Sequence, residues 1–241
     1  TVLGGFMAVS FTDLIQSIIM TVALVVVLGF GVVNAGGMDA VLDNARSMAG
    51  YLSLSNIYDP ATGGSNPYSL LTICSLLAWG LGYFGMPHII IRFMSIRSNK
   101  DLRKSSVIGI SWTFIILIFS VGSGLIGRMF LGEIEDSSVV FITMVRTIFP
   151  ALASGLLLSA ILAAAMSTCD SQLLASASAF ASDVYKPVFR KGASDEEMLW
   201  AGRIVVVIIA VIALLIAANP NSGTIMGLVE NAWGVFGAAF G

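Results

Sequence analysis

The 241-residue sequence predicts an all-α, polytopic membrane protein, and three observations carry that expectation. The composition is 57% hydrophobic and 11% charged, with a mean hydropathy of +0.93, whereas soluble domains carry roughly 25% charged residues. Apolar runs of about 20 residues, the length of a bilayer-crossing helix, recur along the chain. Lys and Arg gather in alternate connections between those runs, as a chain that crosses a membrane back and forth requires. A net charge of −2 leaves no nucleic-acid footprint, and one His and two Cys leave little for a metal–thiolate site or a disulfide framework. Cys74 and Cys169 fall in apolar segments and read as free, buried thiols. The chain begins TVLGGFMAVS, without Met or a signal-peptide pattern, and ends NAWGVFGAAFG inside an apolar run. It is therefore expected to be an internal fragment of a longer protein.

The first run, 12–33, is entered through AVSFTDLIQSIIM, which puts Asp13 and Gln16 just inside one end. Thr12 and Asp13 suit a helix start, and an ion-related role for Asp13 fits the sequence equally well. Segment 34–68 is long for a connection. Gly-Gly at 36–37 and 63–64, Pro60, Pro67 and the stretch MDAVLDNARSMA predict a short surface helix and then a turn-rich link. A linker is the plainer reading of it, with a gate or vestibule cover as the alternative.

The second run, 69–93, contains AWGLGYFGMPHIIIRFM, where Gly80, Gly82, Gly85 and Pro87 fall within eight positions. Proline removes a backbone donor and clashes with the preceding turn, and glycine weakens a helix. An unwound or kinked helix is expected near 82–87. Broken backbone at membrane depth survives only where protein covers it or a cavity borders it. Trp79, Tyr83 and Pro87 stand at i, i+4 and i+8, along one side of a helix, which fits either a ring stack on a substrate cavity or a kinked packing helix. His88 reads as hydrogen-bonded packing sooner than as a proton relay, and Arg92 as a side chain reaching the cytoplasmic interface.

A third run covers 106–127. The fourth, 147–182, is too long for one crossing and is expected to extend past the bilayer. Within it Gly155, Ser159, Ala163, Ser167, Ser171, Ala175 and Ala179 repeat a small residue at every fourth position, a ridge against which another helix packs closely. Ala164, Ser167, Thr168 and Ser171 share one face. Two hydroxyls and a carbonyl a turn earlier suit a hard monovalent cation, and hydroxyls bonded back to their own helix fit the same spacing. Asp170 stands beside them, although a carboxylate at the centre of a membrane helix costs about 2.5–3.5 kcal/mol. It reads as a hydrated, cavity-facing group. The fifth run is 199–218, and the sixth, 225–241, is incomplete.

Nine of the 12 basic residues lie around 92–104 (Arg92, Arg97, Lys100, Arg103, Lys104) and 186–203 (Lys186, Arg190, Lys191, Arg203). Connections 94–105 and 183–198 are therefore assigned to the cytoplasm. Connections 34–68, 128–146 and 219–224, which hold only Arg46, Arg128 and Arg146 among or beside them, are assigned to the exterior.

GGFMAVSFTDLIQ at 4–16, AWGLGYFGMPHIIIRFM at 78–94, LLLSAILAAAMSTCDSQLLASASAFASDVYK at 156–186 and the weaker AANPNSGTIMGLV at 217–229 carry a resemblance to the solute:sodium symporter family. It runs from end to end of the chain. The resemblance implies the LeuT-like fold of two inverted five-helix repeats, here core helices five to ten, in one transporter domain over 1–241. It implies sodium binding through the Ala164 carbonyl and the Ser167 and Thr168 hydroxyls, with the other ligands on a core helix this chain lacks. It implies substrate binding at Trp79, Tyr83 and Pro87, and it matches Asp13 and Ser171 to a second ion site that some members have, with Asp170 beside them as a further candidate ion or proton group. Met86 stands where some proline-carrying members have Gln.

The function implied is sodium-coupled import of L-proline by alternating access through the lipid bilayer of a bacterial inner membrane. Pantothenate or a sugar is the alternative solute, and the input domain of a sensor histidine kinase the alternative class. An enzyme is not expected: the single histidine, the absence of G-x-S-x-G, and Asp13 and Asp170 on different runs do not make an intramembrane hydrolase.

Overall fold

A computed structural model describes residues 4–132, 134, 136–219, 223 and 225–240. Connection 219–224 is thus seen only at Asn219 and Gly223. The rest of it, residues 133 and 135 of connection 128–146 and the terminal residue of the sixth run lie outside the described residues.

Described in chain order, the helices are α1 (Gly5–Asn34), α2 (Met38–Ser47), α3 (Leu70–Ala78), α4 (Pro87–Met94), α5 (Asn99–Leu131), α6 (Val140–Ile148), α7 (Ala151–Ala179), α8 (Asp195–Ala217) and α9 (Ile225–Phe240). A 3₁₀ segment, Trp79–Gly85, joins α3 to α4, and a π-helical stretch, Phe180–Phe189, continues α7. Among the described residues α1, α5, α7 with its continuation, and α8 are long and apolar enough to cross a membrane, and the bent α3–α4 pair makes a fifth. This is a multi-pass, all-α membrane protein. Large apolar side chains such as Phe11, Ile108, Leu156 and Leu215 stand exposed on these helices, because lipid tails, not water, are their solvent.

Two compact units divide the chain. One comprises Ile15–Ser75 and Lys100–Ala164. Its core is Val27, Val41, Ile126, Met144 and Val145, drawn from α1, α2, α5 and α6 and all at most 2% exposed. Gly31 permits this packing, since a Cβ there would stand 2.9 Å from Ile126 Cγ2 and 3.0 Å from Met144 Cε. Phe30 meets Phe149 edge-on at 5.2 Å. Connection 34–68 contains the expected short helix, α2, and also an unforeseen antiparallel hairpin: β1 (Asn56–Asp59) pairs with β2 (Gly64–Pro67) in the register Asn56↔Pro67 to Asp59↔Gly64. Asp59 closes its turn, accepting from the Ala61 amide at 3.0 Å and the Thr62 hydroxyl at 2.8 Å. Those bonds favour the carboxylate and lower its pKa. The run expected from 147 begins instead at Ala151, because Pro150 holds Phe149 extended and separates off α6. Ser154 rejoins the two, donating to the Phe149 carbonyl at 2.9 Å and the Val145 carbonyl at 3.2 Å.

The other unit comprises Thr1–Leu14, Leu76–Asn99 and Ala165–Gly241. Here the π-helical stretch absorbs Pro187 without ending the helix. Glu197 in the first turn of α8 accepts from Tyr185 Oη at 2.8 Å and pairs with Arg190 at 3.1 Å. Ser194 caps α8 through its hydroxyl, which accepts from the Glu197 amide at 3.3 Å. Cys74 and Cys169 are free thiols as expected, but both are exposed. Outward faces of membrane helices take weakly polar thiols as readily as a core does.

Candidate functional site

The expected break is present. From Trp79 to Gly85 the backbone tightens into a 3₁₀ helix, Met86 is extended (φ −81°, ψ 105°), and Pro87 occupies the first position of α4. The bend is 46°. Proline suits a helix's first turn because that amide has no intrahelical acceptor. The Met86 carbonyl accepts from the amides of Ile89 and Ile90, each at 3.1 Å. At three residues per turn, Trp79, Tyr83 and Pro87 do not follow one side as an α-helix would place them. Trp79 and Tyr83 lie before the break and Pro87 beyond it.

Another side chain unites the first two. Trp233 of α9 stacks on Trp79 (centroids 5.4 Å, 22°) and meets Tyr83 edge-on (5.3 Å, 86°). Its indole nitrogen donates to the Trp79 carbonyl at 3.1 Å. Gly82 makes the room: a Cβ there would stand 2.7 Å from Trp233 Nε1. Sequence reasoning missed Trp233. A Trp near a chain end carries no local sign of its partner, and the one available hint was a glycine between aromatics on another run.

The second cluster joins α1, α4 and α7. Arg92 donates to Asp13 Oδ2 and to Ser171 Oγ. The Ser171 hydroxyl also lies 2.9 Å from the Ser167 carbonyl and 3.3 Å from Asp13 Oδ2. Asp13 and Ser171 are buried, at 7% and 6% exposure. Arg92, expected to reach the cytoplasmic interface, turns its guanidinium to Asp13 while its side chain stays 44% exposed. A cation within an apolar run needs an internal anion, and Asp13 supplies it. A cleft of about 190 Å³ beside the cluster is lined by His88, Arg92, Ser95, Ser171 and Ser178, among others.

One position along an α-helix is a turn of about 100°, and Asp170, next to Ser171, lines a different cleft, of about 410 Å³, with Leu173 and the apolar α8 residues Val206, Val207, Ala210, Val211 and Leu214. Ala164, Ser167 and Thr168 sit mid-α7 at i, i+3 and i+4 and so share a face of an unbroken helix. Their oxygens, two hydroxyls and a carbonyl with a second lone pair, are the donor types a hard monovalent cation takes.

The model of the family described as sodium:solute symporter matches residues 1–241. The chain is 44% identical to the osmoregulated proline transporter OpuE of Bacillus subtilis, over 100% of this chain and 48% of that protein. It is 41% identical to the high-affinity proline transporter PutP of Bacillus subtilis, over 100% of this chain and 50% of that protein. To sodium/proline symporter 2 of Staphylococcus saprophyticus it is 43% identical, over 100% of this chain and 46% of that protein. The chain thus spans about half the length of the curated relatives it matches.

Proposed function

The chain belongs to the sodium:solute symporter family, and from that premise we propose that it is part of a bacterial cytoplasmic-membrane transporter that imports L-proline with sodium by alternating access. The observation that carries this reading is the aromatic wall at the helix break, where Trp79, Tyr83 and Trp233 meet over Gly82. Ring faces pack well against the C–H edges of a pyrrolidine ring. Broken backbone beside them offers amide and carbonyl groups to the ends of a zwitterion. Relatives 41–44% identical across the whole chain are named as proline transporters, which supports the same solute.

In this reading, sodium enters from outside and binds the Ala164 carbonyl and the Ser167 and Thr168 hydroxyls, together with ligands from elsewhere in the transporter. That draws the small-residue face of α7 against a neighbouring helix and completes the substrate site. Trp79 and Tyr83 hold the solute, Pro87 fixes the direction in which α4 leaves the break, and Trp233 covers the wall. Basic residues around 92–104 and 186–203 hold those connections in the cytoplasm.

Uptake of labelled proline should be measured for the intact transporter in cells lacking their own proline uptake, with sodium or choline outside. Uptake is expected to require sodium and to be displaced by unlabelled proline. Displacement by pantothenate or a sugar at lower concentration than by proline would overturn the assignment of solute.

A further inference from the structure

The ten residues Phe180–Phe189 continue α7 in a π register, which helices seldom hold beyond a single turn. The Arg190 amide, just past the stretch, bonds the Tyr185 carbonyl five residues back, at 3.0 Å. Pro187 accounts for part of this. In an α-helix its ring would strike the Asp183 carbonyl, and the wider π turn relieves that contact. The π register nevertheless runs through all ten residues, so it needs a second support.

Glu197, in the first turn of α8, supplies one. Tyr185 Oη donates to its Oε1 at 2.8 Å. Arg190 Nε lies 3.1 Å from the same oxygen, and Arg190 Nη2 donates to Oε2 at 3.2 Å. Such a paired contact fixes the plane of the guanidinium as well as its distance. The Glu197 amide is itself held by the Ser194 cap at 3.3 Å, so the carboxylate stands on an anchored helix end. In an α-helix, residues five apart point about 140° away from each other. Here Tyr185 and Arg190 stand one turn apart and meet one carboxylate. The clamp therefore fits the π register and not the α register. An i→i+5 bond encloses one residue more than an i→i+4 bond. Reversion of one such turn would rotate α7 by about 100° and slide it by about 1.5 Å relative to Glu197. Ser167 and Thr168 lie on the same helix, unbroken from Ala151 to Ala179, and would turn with it.

We propose, on the sodium-coupled reading above, that Glu197 is a positioning residue for sodium binding: by clamping Tyr185 and Arg190 it holds the π register and so sets the rotation at which α7 presents Ser167 and Thr168. It acts from the cytoplasmic end of the helix and touches no ion. The Arg190 side chain is 63% exposed and that of Glu197 29%, and pairs so open to water add little to global stability. Breaking the clamp therefore frees the register without unfolding α8.

The test uses the intact transporter as wild type, Glu197→Gln, Tyr185→Phe and the triple variant Tyr185→Phe/Arg190→Gln/Glu197→Gln. Glu197→Gln is expected to raise the sodium concentration for half-maximal proline uptake roughly 3- to 10-fold, with the proline KM at saturating sodium nearly unchanged. Tyr185→Phe, which removes one hydroxyl, should shift it the same way by less, and decides alone if Glu197→Gln does not fold. The triple variant should match Glu197→Gln, since all three groups act through one carboxylate. On the purified transporter, sodium should raise hydrogen-exchange protection over 180–189 in wild type and much less in Glu197→Gln, because coupling between two sites is reciprocal. Variants with a lowered melting temperature and wild-type sodium dependence would make the clamp a structural brace and overturn the proposal. So would protection over 180–189 that ignores sodium in a wild type whose uptake requires it. Wild-type uptake that needs no sodium defeats the proposed function instead, and equal protection over 180–189 in wild type and Glu197→Gln then still overturns the clamp.

Discussion

Gly82→Ala is a small perturbation with a calculable consequence. Gly82 is outside the left-handed region of backbone space, so alanine meets no conformational strain there. The new methyl would stand closest to Trp233 Cδ1, 2.7 Å from Nε1 and 3.1 Å from Cγ, where carbon contacts are comfortable at about 3.5–4.0 Å. The indole must therefore withdraw by about 1–1.5 Å. That weakens its hydrogen bond to the Trp79 carbonyl, worth about 0.5–1.5 kcal/mol. It also loosens the contacts with Trp79 and Tyr83, each worth about 0.5–1.5 kcal/mol beyond the area they bury. Since both kinds of contact are loosened and not abolished, a cost of about 1–3 kcal/mol follows, or roughly 5- to 150-fold in the population with Trp233 docked. The assay is a double-mutant cycle on the purified transporter, reading thermal stability and the KM for proline. In a Trp233→Leu background the clash is gone, and Gly82→Ala is expected to cost less than about 0.5 kcal/mol. Equal costs in the two backgrounds would refute the packing of α9 over the break.

Ser167→Ala and Thr168→Ala should each raise the sodium concentration for half-maximal uptake and leave the proline KM at saturating sodium nearly unchanged; unaltered sodium dependence would remove both from the sodium site. Asp59 accepts two bonds as a carboxylate, so its folded pKa lies below its unfolded value. Its stabilisation of the hairpin is present above the unfolded value of about 3.9 and is lost as pH falls through the folded one. Hydrogen-exchange protection at 56–67 should therefore drop below about pH 4, and Asp59→Asn should flatten that dependence. Ser194→Ala removes the cap of α8 and should lower stability by about 1 kcal/mol in a denaturation experiment.

The elements carried by hydropathy alone were legible in the sequence. The run at 12–33 lies within α1, 106–127 within α5, and 199–218 coincides with α8 to within a few residues. Gly80, Gly82, Gly85 and Pro87 marked the helix break because backbone chemistry is local. The hairpin at 56–67 was not legible: its strands are four residues each and lack an apolar alternation. The helix α6 was hidden because most of it falls in the segment read as connection 128–146, while its end, set by Pro150, falls inside the run read from 147. The site divides in the same way. Same-helix neighbours such as Ser167 and Thr168 follow from spacing, whereas Arg92 with Asp13 and Trp233 with Trp79 join residues 79 and 154 positions apart. Periodicity carries no information over such separations. Asp170 was grouped with Asp13 and Ser171 by adjacency in sequence, which does not carry the 100° step of the helix that sets it on a second cleft.

The most direct test of the account is proline accumulation by the purified, intact transporter in sealed proteoliposomes. Proline should be concentrated above its external level only while an inward sodium gradient lasts. An interior-negative potential should increase that accumulation, since moving each net charge gains about 2.3 kcal/mol per 100 mV. Accumulation of the same size with choline in place of sodium, or none with the sodium gradient in place, would contradict it.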